Sequence, residues 1–487
     1  MEGRSVTKGL FWKLLERFGV SGIQFVLQLV LARLLTPDLY GVLSIMLVFI
    51  NLANVFIQTG FNTALIQNKD VTERDYSSVL WVSCGVAGIL YTVIFFTAPL
   101  VGMFYEMPEI TAPLRVLALM LFPGALNSVQ LAKVSRDMDF KKVFFSNLGG
   151  MILAGGVGIL IACLGGGLWA LVAQQLINVV TACLVMRLTV KLKVQFVCDF
   201  KRIRVLFAYG WKLLLSSLLD TLYQDLRSLV IGKKYGKAEL GFYNRGKHFP
   251  TFIMNAVNGA VQSVMLPAMS AKQDEKAEIK RLTRSSLSLG AYVIFPLMAG
   301  LAAVSTPLIN ILLTEKWLPC VPYLMIYCVT TAFYPVHSCN LQAINAQGRS
   351  DLFLILEIIK KVIGVGSLVI AVFCFNSPIA IALTGIVTTV ISFFVNAYPN
   401  KKLLGYTYWE QICDLLPATL LSLTMFGTVY VLILGGLSHW LTLLIQVPVG
   451  VVLYVSLSIL FRVKNFDFIC LVIKKNVIGK LKKHPQC

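Results

Sequence analysis

Apolar stretches of about 20 residues or more recur fourteen times along the chain, each long enough to cross a hydrocarbon core of roughly 30 Å as a helix. They lie near 10–34, 39–60, 78–104, 112–132, 143–164, 168–188, 205–231, 241–267, 287–313, 320–345, 352–375, 377–398, 414–434 and 440–461. The links between them are short, so the pattern predicts an all-α polytopic membrane protein of about 14 transmembrane helices without a separate soluble domain. Polar positions inside the stretches fall in stripes. Span 1 carries Lys13, Arg17, Gln24 and Gln28, whose spacings of 4, 7 and 4 share one helical face. Span 2 carries Asn51, Asn54 and Gln58; span 7 carries Asp220, Gln224 and Arg227, with Asp225 beside them. Span 8 carries Asn244, His248, Asn255, Asn258 and Gln262, with Arg245 and Lys247 near one end. A charge at the centre of a span costs at least about 2.5–3.5 kcal/mol on insertion scales. Four coincident stripes therefore imply helices that line a water-filled cavity. For a single Asn or Gln the competing account is an interhelical hydrogen bond, about 0.6–2 kcal/mol per contact.

Charge gives the stripes an orientation. The chain is 57% hydrophobic and 14% charged, which excludes an ordinary soluble domain. The formal net charge of +20 raises the question of nucleic acid, but no aromatic-basic groove or binding motif accompanies it. The basic residues instead gather in every second gap: about 30 in one set against about 5 in the other, a positive-inside bias. That bias predicts both termini in the cytoplasm and an even number of spans. Lys233, Lys234 and Lys237 fall in an outside gap and are the main exception; they are expected to extend a cationic surface at the outer mouth. The segment 464–487 alternates apolar residues with Lys474, Lys475, Lys480, Lys482 and Lys483, as a basic helix lying on the cytoplasmic leaflet would. Arg4 and Lys8 precede an apolar run too long for a signal peptide, so that run reads as a retained first span.

An offset of 200 residues superposes the two halves. Trp12-Lys13-Leu14-Leu15 falls near Trp211-Lys212-Leu213-Leu214, Gln24 meets Gln224, and Pro37 to Gly41 meets Lys237 to Gly241. Six spans precede the seventh, so both halves keep one orientation, as in parallel repeats with a site between them. The expected organisation is an N-lobe at 1–190 (spans 1–6), a C-lobe at 191–400 (spans 7–12), spans 13 and 14 at 401–463 as an appendage, and the basic tail at 464–487.

The candidate cavity is Lys13, Arg17, Gln24, Gln28, Asn54, Gln58, Gln224, Arg227, Arg245, His248, Asn255 and Asn258. Its cations suit phosphate oxygens, because an arginine fork pairs with them in a planar fashion. Asp220 and Asp225 are candidates for binding H+ or Na+ in a coupling cycle, or for pairing with Lys212 or Arg227. Glu357 with Lys360 and Lys361 suggests an i,i+4 pair in span 11; His337, Asn340 and Asn345 are weaker candidates in span 10. The eleven cysteines are scattered, without CxxC or His/Cys ligand spacing, and read as packing residues. No phosphate loop, HExxH or GxSxG motif is present. No metal, cofactor or catalytic group is expected, which favours a transporter over an enzyme.

Four segments carry a family resemblance. SRDMDFKK at 135–142, GGGLWALVAQQL at 165–176, IGKKYGKAELGFYNRG at 231–246 and LPAMSAKQDE at 266–275 fall in order at the expected spans. They resemble stretches of the bacterial Wzx-type polysaccharide exporters, nearest the colanic-acid and teichuronic-acid branch. The resemblance implies the multidrug/oligosaccharidyl-lipid/polysaccharide flippase fold. It implies a flippase that moves undecaprenyl-diphosphate-linked oligosaccharide across the bacterial cytoplasmic (inner) membrane by alternating access. The product would serve lipopolysaccharide or exopolysaccharide biosynthesis, with membrane lipid, a polysaccharide polymerase and glycosyltransferases as partners. Relatives often carry Asp where Arg227 stands, so the resemblance brings no coupling carboxylate to that position. An ion-coupled drug antiporter of the same fold and a membrane glycan-modifying enzyme are the alternatives. The first calls for an acidic, aromatic cavity, and the second for a large outside loop or a His/Asp pair.

Overall fold

In a bilayer each span must satisfy its own backbone hydrogen bonds, so apolar runs of this length fold as helices. The computed structural model describes residues 12, 19–67, 71–190, 192, 194–197, 199–270 and 275–481, and among them no strand occurs. The helices are α1 Ser21–Leu34, α2 Pro37–Gln67, α3 Glu73–Tyr105, α4 Pro108–Asp137, α5 Phe140–Cys163, α6 Leu168–Thr189, α7 Phe200–Tyr235 and α8 Lys237–Ser270. They continue as α9 Lys276–Ala303, α10 Glu315–Ala346, α11 Ser350–Cys374, α12 Pro378–Leu404, α13 Tyr408–Gly435, α14 His439–Leu460 and α15 Lys464–Leu481. Helices α4 and α10 include short 3-10 turns.

Ten of these are long and apolar enough to cross a membrane: α2 to α6, α9, α10 and α12 to α14. The other four expected spans correspond to α1, α7, α8 and α11. Three of them carry the polar stripes of spans 1, 7 and 8, and α11 carries Glu357, Lys360 and Lys361. Among the described residues α1 is apolar but only 14 residues long, and α11 is apolar but interrupted by Glu357, Lys360 and Lys361, so length and charge set these two apart rather than hydropathy. One boundary differs from expectation. The run read as a single span over 287–313 is α9, which ends at Ala303, followed by a separate helix Ser305–Leu313. The run stays apolar across the break, so hydropathy merges the two; the new helix starts at Ser305 after Val304, without a side-chain cap.

The chain forms two compact units, Met1–Asn244 and Arg245–Cys487. In the first, α7 lies along α2, α5 along α6, and α4 contacts α2, α3 and α6. Compactness and repeat divide the chain differently: α7, which opens the second repeat, belongs by packing with α2. The starts of α2 and α8 meet backbone to backbone. A Cβ on Gly41 would stand 1.8 Å from the Lys237 carbonyl oxygen, and one on Gly241 would stand 2.1 Å from that of Pro37. Positions 41 and 237 exchange with 241 and 37 under the same 200-residue offset, a local two-fold relation between repeat-equivalent residues. In the second unit, α13 lies along α9 through Lys280–Glu410 at 2.9 Å and Arg284–Asp414 at 2.7 Å. The Tyr406 hydroxyl donates to Asp414 at 2.8 Å, and Thr407 and Glu410 form a capping box at the start of α13.

Candidate functional site

Helix α2 fixes the depth of the polar residues in the first unit. A Cβ on Gly232 of α7 would lie 3.1 Å from Ile45, which anchors the two antiparallel helices at that level. Continued at roughly 1.5 Å per residue along both helices, this register brings Asn54 to about the level of Gln224. Gln58 comes to about the level of Asp220. Asn51, Gln58, Asp220 and Gln224 are exposed in the middle of otherwise apolar helices. Asn54 is half-buried and turns toward α4, its Oδ1 3.4 Å from where a Cβ on Gly124 would stand. Arg227 is half-buried, its guanidinium 5.8 Å from the centre of the Tyr223 ring one turn back, and Asp225 is half-buried beside it. Ser228 donates to Asn244 Oδ1 at 3.2 Å and ties α7 to α8.

The remaining candidates divide into three groups. Gln24 is exposed and Gln28 half-buried on α1, which packs on α5 with Leu27 against Gly155. Lys13 and Arg17 lie outside the described residues, and the side chain of Gln262 is likewise not described. In the second unit Asn255 is exposed, His248 half-buried and Asn258 buried. Arg245 is only 4% exposed, its guanidinium 5.2 Å from the ring centre of the fully buried Trp317. It is a packed cation–π pair, whose partner lies some 70 residues downstream on α10 and has no signature in the local sequence.

The exceptional lysines have a different role from the one expected of them. Lys233 Nζ bonds Glu106 at 2.8 Å and lies 5.1 Å from the Phe104 ring centre; Lys237 Nζ bonds Glu109 at 2.6 Å. They are paired with the α3–α4 link rather than presented as a cationic rim. The Lys233 ammonium beside Glu106 holds that carboxyl below the usual carboxylate range. Sequence reasoning missed both acids, although an outside gap with two Glu facing one with three Lys was a usable signal. In α11, Glu357 pairs with Lys360, one position nearer than the expected Lys361. A buried polar knot was also missed as a unit. Asn340 donates to Gln411 Oε1 at 3.0 Å and accepts from Asn400 Nδ2 at 2.8 Å, with all three side chains fully buried. It joins α10, α12 and α13 and packs helices rather than facing a cavity. Among the described residues no group of three or more His, Cys, Asp or Glu is placed to hold a metal ion.

This architecture, a multi-pass helical membrane protein, is shared with an inward-facing multidrug resistance MATE family transporter of the MOP superfamily, which superposes with a TM-score of 0.60 at 16% identity, over 80% of this chain and 98% of that one. The structure of the lipid II flippase MurJ in an inward closed conformation superposes with a TM-score of 0.75 at 16% identity, over 93% of this chain and 99% of that one. The polysaccharide biosynthesis protein family matches residues 30–322, more than half of the chain, and the chain belongs to that family. It is 24% identical to the teichuronic acid biosynthesis protein TuaB of Bacillus subtilis over 72% of this chain and 73% of that protein. It is 23% identical to the lipopolysaccharide biosynthesis protein WzxC of Escherichia coli over 87% of each.

Proposed function

We propose that the chain is a flippase that carries undecaprenyl-diphosphate-linked oligosaccharide across the bacterial cytoplasmic membrane by alternating access, for surface polysaccharide biosynthesis. The observation that carries this reading is the exposed polar surface of α2 and α7 at mid-depth, with Arg227 at its edge. Lipid-facing positions at that depth are apolar, because each uncompensated polar group in hydrocarbon costs free energy. Amides at Asn51, Gln58 and Gln224 offer donors and acceptors to sugar hydroxyls. The Arg227 fork matches a diphosphate, while a polyprenyl tail stays in the hydrocarbon. Lys13, Arg17, Gln24 and Gln28 on the first span and Asn255 and Asn258 on α8 complete the proposed binding set. Asp220 and Asp225 are the carboxylates proposed for H+ or Na+ coupling. The positive-inside bias supports cytoplasmic termini, and the proposed partners are a polysaccharide polymerase and glycosyltransferases of the same biosynthesis.

The test is complementation of a strain that lacks its own exporter. Wild type should restore surface polysaccharide. Arg227→Ala should lower it tenfold or more at equal membrane abundance, and Arg227→Lys should fall between, because a lone ammonium lacks the planar fork. Full export by Arg227→Ala would reject the role given to this surface.

A further inference from the structure

The exposed polar surface belongs to the function just proposed, and the α10–α12–α13 knot holds helices together. The hairpin formed by the end of α7 and the start of α8 belongs to neither. Its lysines reach two acids more than 120 residues away, Lys233 to Glu106 at 2.8 Å and Lys237 to Glu109 at 2.6 Å. The two pairs lie side by side: Glu106 and Glu109 flank the turn between α3 and α4, and Lys233 and Lys237 flank the turn between α7 and α8. Glu106 has left-handed backbone at φ 58, a conformation a non-glycine residue adopts at a cost, and it caps the C-terminus of α3. The same hairpin meets the start of α2 at Gly41 and Gly241, where neither residue has a side chain to interlock. At Gly41 and Gly241 this contact is backbone to backbone, with the two ion pairs beside it and Ile45 packed against Gly232 further along.

We propose that these two ion pairs form a latch that closes this end of the molecule in one state of the transport cycle and breaks when the repeats part. The proposal rests on the alternating-access reading. In this state the four residues lie together in the compact unit Met1–Asn244, and a lobe movement at the expected boundary of 190/191 would separate the partners. Solvated ion pairs are individually weak, as a part that opens in every cycle requires. The Lys233 and Glu106 side chains are 40% and 82% exposed, and those of Lys237 and Glu109 are 43% and 39% exposed, so water can take over both partners on opening. Two parallel pairs also set the register in which the hairpins close again.

The full-length chain in membranes provides the test. Glu106→Cys with Lys233→Cys is bridged by a bifunctional methanethiosulfonate about as long as the two side chains it replaces. Bridging should fall several-fold when Glu109→Lys breaks the second pair and should recover when Lys237→Glu restores it with the charges swapped. Equal bridging in all three backgrounds would overturn the latch. In the exporter-deficient strain, bridged protein should stop exporting and resume on reduction; undiminished export by bridged protein would show that the hairpins stay together throughout the cycle, and would also overturn it. Bridging is read without any glycan. A wild-type chain that restores no polysaccharide therefore rejects the flippase reading alone, and the bridging yields still decide the latch.

Discussion

At the scale of the residue, polar side chains in a span have two fates, and neighbours decide which. Asn340 is fully buried and holds Gln411 at 3.0 Å and Asn400 at 2.8 Å, whereas Gln224 faces open space. Asn340→Leu leaves Gln411 Oε1 without its donor, while Asn400 keeps its bond to the Asn340 carbonyl at 3.0 Å. A buried polar group left unsatisfied costs about 1–3 kcal/mol, so the thermal midpoint of the purified protein should fall measurably. Adding Gln411→Leu should return part of the loss, because an apolar pair leaves nothing unsatisfied. An unchanged midpoint in Asn340→Leu would mean the knot holds nothing together. The stripes of the candidate site were legible because helical spacing puts Gln224 and Arg227 on one face in any tertiary context. The burial of Arg245 under Trp317 and the pairing of Lys233 with Glu106 were not legible, because each depends on a residue far along the chain.

At the scale of the element, hydropathy located the spans, and the exceptions have physical causes. The break between α9 and Ser305–Leu313 lies inside an unbroken apolar run, so hydropathy merges the two helices. The meeting of α2 with α8 was foreshadowed by the repeat, since Gly41 and Gly241 occupy equivalent places, but the 200-residue offset alone does not say that they touch. The contact yields opposite expectations for one substitution at two sites. In a helix, Gly→Ala is worth about 1 kcal/mol of added stability where space allows. Gly427 of α13 has no neighbouring atom within 4 Å of an added Cβ, so Gly427→Ala should leave the midpoint level or raise it. At Gly41 the methyl would stand 1.8 Å from a carbonyl oxygen, so α2 must shift, and overpacking of this kind costs about 1–3 kcal/mol. Gly41→Ala and Gly241→Ala should each lower the midpoint and the yield of inserted protein. Equal behaviour of Gly41→Ala and Gly427→Ala would mean that the contact is loose.

At the scale of the whole molecule, the distribution of charge predicts an orientation that can be read at native thiols. With the 14 crossings that the hydrophobic pattern predicts, the ends of α5 and α11 would share one side of the membrane, and the start of α13 and the tail helix α15 the other. A free, exposed cysteine marks each place: Cys163, Cys374, Cys413 and Cys470. The basic excess lies on the side of Cys413 and Cys470, near Lys401, Lys402 and Lys464. The positive-inside rule predicts that this side is cytoplasmic, held against anionic lipid. In variants that keep one cysteine each, a membrane-impermeant maleimide added to intact cells should label Cys163 and Cys374. It should reach Cys413 and Cys470 only after the membrane is opened. The opposite pattern would invert the molecule and place Lys233 and Lys237 on the cytoplasmic side, where their charge would no longer be an exception. Labelling that divides the two cysteines of either pair would instead show that the number of spans between them is odd. Because the Cys163–Cys374 interval contains α6 to α11, the thiol pattern also tests whether the crossings by α7, α8 and α11, the expected spans there outside the ten candidate ones, bring the total to an even number.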